Sequence, residues 1–171
     1  MKERTGIITF QGDPLTLLGE EIGQGASAPE VQLTNGDLET VGLRGEGEEV
    51  LIIASVPSID TSVCSKETKR FNQEAEALPG AAKLKVVSMD LPFAQQRWAK
   101  EYEATRITFL SDHREAFFGQ AFGVLIKELR LLARAVFVID AAGKISYMQL
   151  VEEVTDEPDY EAALSVVRGL F

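Results

Sequence analysis

The sequence predicts a mixed α/β fold on a partly parallel sheet. From residue 49 onward, strand and helix signals alternate as β-α-β-α-β-α-β-β-α, the order of parallel crossovers. EVLIIASV (49–56) and KLKVVSMD (83–90) are near-continuous apolar runs rich in Val, Ile and Leu, as expected of strands buried on both faces. RAVFVIDAAGKISYMQLV (134–151) holds two strand patterns around a turn at Gly143, most simply a hairpin, and a hairpin makes the sheet mixed.

Each element follows in turn. GIITFQGDPLTLLG (6–19) is expected to be an N-terminal hairpin about the turn signal QGDP. Pro29 and Asn35-Gly36 mark turns in the segment after it. The run 49–56 ends at Pro57, and a helix is expected from about Cys64, because Thr68, Phe71, Ala75 and Leu78 follow it at four, seven, eleven and fourteen residues, on one face. Lys66, Lys69, Arg70 and Gln73 fall elsewhere and are read as solvated. LPFAQQRWAKEYEA (91–104) predicts a helix with Asp90 as its cap and Pro92 in the first turn. ITFL (107–110) is a short strand, and DHREAFFGQAFG (112–123) a helix from Asp112 to Gly123. EPDYEAALSVVRGLF (157–171) is an amphipathic helix.

At 171 residues the chain is expected to form one domain, 1–48 being the hairpin and lead-in and 49–171 the core. A formal charge of -10 argues against a nucleic-acid partner, which needs clustered Lys and Arg, and gives no support for an anionic membrane surface. No apolar stretch approaches a membrane span, and MKERTGIITF lacks the apolar region of a secretory signal, so a cytoplasmic location is expected. One cysteine excludes an intrachain disulfide, and one cysteine with one histidine argues against structural zinc.

That cysteine, Cys64, raises the functional question. A lone cysteine is commonly a small buried hydrophobe, inert because it is buried. Here it stands in the first turn of the expected helix, on its inward face, after a buried strand. Free backbone N–H groups and the positive end of the helix dipole favour thiolate, the form that attacks. The C-terminal edge of such strands is where open α/β sheets place their sites. Thr61, three residues earlier, is placed to cap the turn or to reach the sulfur, two roles that local sequence does not separate. Ser58, Asp60, Ser62 and Ser65 read as polar loop and helix-start residues, and His113 as an exposed residue with no catalytic role.

The spacing Pro57-x-x-x-Thr61-x-x-Cys64 resembles the signature of the peroxiredoxins. GDPLTLLG, VPSIDTSVC, VVSMDLPFAQQRW, LLARAVFVID and MQLVEEVTDEPDYEAAL, in order along nearly the whole chain, are similar to stretches of one branch, the bacterial thiol peroxidases. The resemblance implies a thioredoxin-like fold and reduction of hydrogen peroxide and organic hydroperoxides, with no cofactor. It implies Cys64 as the nucleophile that becomes a sulfenic acid, Thr61 as its hydroxyl partner, Pro57 as the shield of the pocket and Arg134 as the active-site cation. Taken alone, an arginine at the head of the apolar strand AVFVI reads as a surface-rim residue, although a cation buried there is costly without a task.

The chain departs from the family at Ala99, where many thiol peroxidases carry a resolving cysteine. Recycling then falls to an external thiol, such as thioredoxin, or to a cysteine of another chain. Phe122 stands where the family often has tyrosine and reads as packing. Trp98 and Phe93 are expected in core or dimer packing, a homodimer being implied by the resemblance. Competing readings are a peroxide-sensing relay that passes oxidation from Cys64 to a partner protein, and a scaffold that has lost turnover.

Overall fold

The computed structural model describes residues 1–46 and 49–171. The expected boundary between lead-in and core at 48/49 touches Glu48, outside the described residues.

The N-terminal hairpin forms as expected, from β1 (Glu3–Phe10) and β2 (Asp13–Leu18). Its two-residue turn has positive φ at both Gln11 (51°) and Gly12 (86°), the conformation that matches the twist of the flanking strands. Two short antiparallel strands follow, β3 (Gln32–Thr34) and β4 (Thr40–Gly42). Asn35 turns the chain between them, its side-chain oxygen accepting from the N–H groups of Asp37 (2.9 Å) and Glu39 (3.0 Å).

The alternating region comprises β5 (Val50–Ser55), α1 (Ser62–Ala75), β6 (Ala82–Ser88), α2 (Pro92–Glu101), β7 (Ile107–Ser111), α3 (Phe117–Ala121), β8 (Leu125–Ile126), β9 (Ala135–Ile139), β10 (Ile145–Leu150) and α4 (Tyr160–Gly169). Seven strands form one sheet in the order β10-β9-β5-β6-β7-β3-β4, while β1, β2 and β8 form a second. β5, β6 and β7 run parallel and β9 antiparallel to β5, which gives the mixed sheet expected.

Side-chain alternation divides the interior into two cores. Leu51 and Ile53 of β5 and Phe137 and Ile139 of β9 point to one side, with the small sheet, Phe118 and Phe122. Val50, Ile52 and Ala54, with Val136 and Val138, point to the other, against Cys64 and Phe71 of α1, Trp98 of α2 and Leu164 of α4. A strand serving two cores has no polar face, and this explains the unbroken apolar runs.

Two expectations change, and one strand is new. The helix expected over 112–123 is the five-residue α3: Ala116 takes a left-handed φ of 55°, so the chain cannot be helical before it. Asp112 still serves that turn, its carboxylate accepting from the N–H groups of Phe118 (3.0 Å) and Gly119 (2.8 Å). Burial pushes this carboxyl up to about 6 against those bonds. Asp90 does not cap α2, whose first position follows Leu91 with no side-chain cap; its carboxylate turns toward the loop before Cys64. Finally, β8 pairs with β2 through Leu17–Ile126 and Leu18–Leu125, within a segment that carried no sequence assignment. Among the described residues no helix is long and apolar enough to cross a membrane.

Candidate active site

The head of α1 explains how Cys64 is held. Thr61 has extended backbone angles, φ -83° and ψ 150°, and its hydroxyl oxygen accepts from the Cys64 N–H at 3.3 Å. It is the N-cap, one of the two roles the sequence left open. The same hydroxyl donates to the Ser58 carbonyl at 3.1 Å, so its proton is directed at the loop and not at the sulfur. Cys64 is therefore the third helical residue, in the turn where backbone N–H groups lack intrahelical acceptors. Its side chain is 0% exposed and joins the core beside Ile59, Phe71 and Trp98. Pro57 is buried two residues beyond the end of β5.

Arg134 reaches the same place from β9. The register pairs Ser55 with Ala135, so the residue before Ala135 lies beside the end of β5, where the chain leaves for Cys64. Arg134 is 1% exposed. Its Nη2 donates to Cys64 Sγ at 3.4 Å and to the Val154 carbonyl at 2.9 Å. Nε donates to the same carbonyl at 3.1 Å, and Nη1 to Glu67 Oε2 at 2.5 Å. The planar guanidinium is thus fixed at three nitrogens, which a lysine would not reproduce.

Glu67 was not anticipated. It is fully buried on α1 and forms the ion pair with Arg134. Its signal was present, since position 67 lies three residues after Cys64 on the inward helical face. Burial pushes its carboxyl up to about 7, against the pull of Arg134. Burial alone would lower the Arg134 pKa, but Glu67 and Cys64 outweigh it and hold the guanidinium above its ordinary value.

Three loop residues read as merely polar have specific partners. Ser58 donates to Asp90 Oδ1 at 2.7 Å, Asp60 pairs with Arg97, and Ser65 accepts from the Trp98 indole N–H at 3.0 Å. All three partners lie in the segment 90–98, at or within α2. No local pattern in the sequence announces these contacts. At the rim, Lys66 pairs with Glu157 at 3.0 Å, and the Tyr160 hydroxyl donates to the same carboxylate at 2.8 Å.

Of the predicted set, Thr61, Cys64 and Arg134 meet through hydrogen bonds, and Pro57 lies buried on the loop leading to them. Ala99 is half-buried against the core that contains Cys64. Trp98 is a core residue, 3% exposed, whereas Phe93 is 66% exposed. His113, expected to be exposed, is half-buried with Nδ1 2.8 Å from the Ser111 hydroxyl. Phe122 is packing, stacked on Phe118 at 4.4 Å and edge-on to Phe137 at 5.0 Å.

The Redoxin family model matches residues 23–164. The chain is 52% identical over 158 residues to the thiol peroxidase of Oceanobacillus iheyensis, covering 92% of this chain and 96% of that protein. It is 47% identical over 163 residues to the thiol peroxidase of Bacillus subtilis, with 95% and 97% covered. A peroxiredoxin-like protein from Aquifex aeolicus superposes with a TM-score of 0.90 at 41% identity, over 98% of both chains. A buried thiol at a helix head, a guanidinium held on its sulfur, the mixed sheet and these likenesses agree: the chain belongs to the redoxin family and, within it, to the peroxiredoxin-type thiol peroxidases, in a form without the resolving cysteine.

Proposed function

We propose that this chain reduces hydrogen peroxide and organic hydroperoxides at Cys64, through a sulfenic acid that an external thiol returns to thiol. The observation that carries the reading is the 3.4 Å contact of Arg134 Nη2 with Cys64 Sγ inside the first turn of α1. A fixed cation and a helix N-terminus both favour thiolate. The thiolate attacks the nearer peroxide oxygen, the S–O bond forms as the O–O bond breaks, and the electron pair leaves with the distal oxygen. That oxygen takes a proton and departs as water or alcohol; Cys64 becomes S–OH. Arg134 stabilises charge as it moves from sulfur to oxygen, and Thr61 joins it by redirecting its hydroxyl from Ser58 to the bound peroxide. Pro57 shields the sulfur from bulk water. Two external thiols then reduce the sulfenic acid, the first forming a mixed disulfide and releasing water, the second releasing a disulfide. Thioredoxin or a small thiol fills this role. The resemblance further supports one domain throughout, a homodimer and a cytoplasmic location.

The test is steady-state peroxide consumption with dithiothreitol and then with thioredoxin and its reductase. Sustained turnover with either is expected. One equivalent of peroxide consumed per chain, with no turnover under either condition, would count against the peroxidase and point to the relay.

A further inference from the structure

We propose that Asp90 is a positioning residue for peroxide reduction, a latch that holds the loop 57–61 over Cys64 and so sets Thr61; the inference rests on the peroxidase reading of Cys64. Asp90 follows β6 and half-buries its carboxylate beneath that loop. Oδ1 accepts from the Ser58 hydroxyl and Oδ2 from the Ile59 N–H, each at 2.7 Å. Oδ2 also accepts from the Ser88 hydroxyl at 2.7 Å, and the buried Gln95 donates to that hydroxyl at 3.0 Å and to the Leu110 carbonyl at 2.9 Å. The Ser111 hydroxyl donates to the Asp90 carbonyl. The carboxylate is thus anchored directly by Ser88 of β6, while Gln95 of α2 holds that serine and Ser111 of β7 holds the Asp90 backbone.

On the loop side, the residues Asp90 holds are those that hold the cap. The Ser58 carbonyl receives the Thr61 hydroxyl, and that hydroxyl oxygen receives the Cys64 N–H. Ile59 is 1% exposed and packs in the same core as Cys64, so its N–H has no water to turn to if Asp90 is lost. The loop carries Pro57, Thr61 and the approach to the sulfur, and displacement of a reacting group by about 1 Å costs roughly 100-fold in rate. None of these contacts involves the sulfur, so Asp90 acts on the reaction only through Ser58, Ile59 and Thr61.

Two reagents separate positioning from general damage. Peroxide needs the thiolate, Thr61 and Arg134 in register. Iodoacetamide needs only an accessible thiolate. In Asp90→Ala, the second-order rate of Cys64 oxidation by peroxide is expected to fall roughly 10- to 100-fold, while alkylation by iodoacetamide at the same pH stays level or rises. Asp90→Asn keeps an acceptor for the Ile59 N–H and a partner for Ser58, and is expected to return the peroxide rate to within about fivefold of the parent. If Asp90→Ala does not fold, Ser58→Ala removes one bond of the latch and is expected to show the same selective loss, more weakly. Peroxide and alkylation rates that change in equal proportion, or a peroxide rate that does not change, would overturn the positioning role. A parent protein inert to peroxide overturns the peroxidase reading itself, and this inference with it; a reactive parent with an equally reactive alanine variant overturns this inference alone.

Discussion

Arg134 supplies one cation to two groups that ionise as anions, Glu67 and Cys64, in a place closed to water. Removing it should therefore be severe: Arg134→Ala is expected to lower the rate of Cys64 oxidation by roughly 100-fold or more. An unchanged oxidation rate in stopped-flow measurements would take Arg134 out of the site. Cys64→Ser is expected to abolish peroxide reduction while the circular dichroism spectrum stays that of the parent; appreciable turnover in the variant would refute the mechanism. Glu67 gives a pH prediction. Its folded pKa of about 7 lies above the ordinary 4.5, so the folded chain keeps a proton that the unfolded chain has released. Its stabilising contribution is complete below pH 4.5 and is lost as pH rises toward 7, a change on the order of 3 kcal/mol. Asp112, raised to about 6, acts in the same direction. Denaturant midpoints at pH 5 and pH 8 should fall less in Glu67→Gln than in the parent, and an equal fall would assign the slope to other groups. At this scale the sequence singled out Cys64 and Thr61 by their place at the head of a helix, whereas Pro57 and Arg134 were named for the site through the resemblance to the peroxiredoxins, since an arginine before an apolar strand reads by itself as a rim residue. Glu67 was legible in principle from the helical period, but a glutamate among exposed lysines reads as surface until its partner, 67 residues away, is known.

Among the elements, the strands buried on both faces and the helices α1, α2 and α4 were legible because apolar periodicity is local. The strands β3, β4 and β8 were not, since strands of three residues or fewer exist only through the neighbours they pair with. The shortening of α3 was equally hidden, because Ala116 gives no sign of a left-handed turn. Asp90 looked like a cap because it precedes a proline-led helix; its tertiary partners win the carboxylate instead. α2 carries the remaining prediction of this scale. It holds Ala99 against the core of Cys64 and is tied to the head of α1 by Trp98–Ser65 and Arg97–Asp60. In Ala99→Cys a disulfide to Cys64 requires Cα atoms within about 7 Å, and any shortfall has to come from local loosening of α2. The variant is expected to form that bond after peroxide treatment and to resist overoxidation better than the parent. Mass spectrometry finding only sulfinic and sulfonic Cys64 in both proteins would show that α2 does not open this way.

For the molecule as a whole, the large exposed apolar side chains Leu91 (53%) and Phe93 (66%) flank the start of α2, on a chain whose formal charge is -10. A homodimer is expected, of twice 18.7 kDa by sedimentation at micromolar concentration, and Phe93→Glu should weaken it; a monomeric mass for the parent would refute it. Composition and pattern made the fold class legible at this scale, while a surface shared with a second copy leaves no periodic trace in one sequence. The complete burial of Cys64 has a kinetic consequence. A peroxide is small enough to reach a recessed sulfur, but a protein thiol is not, and this chain has no second cysteine to carry the oxidation outward. On the peroxidase reading, a protein donor is therefore expected to reach the sulfur only when the first turn of α1 frays. At saturating peroxide, turnover is expected to rise with donor concentration to a plateau set by that fraying, the same for donors of unequal reducing power; plateaus that differ between donors would refute the gate.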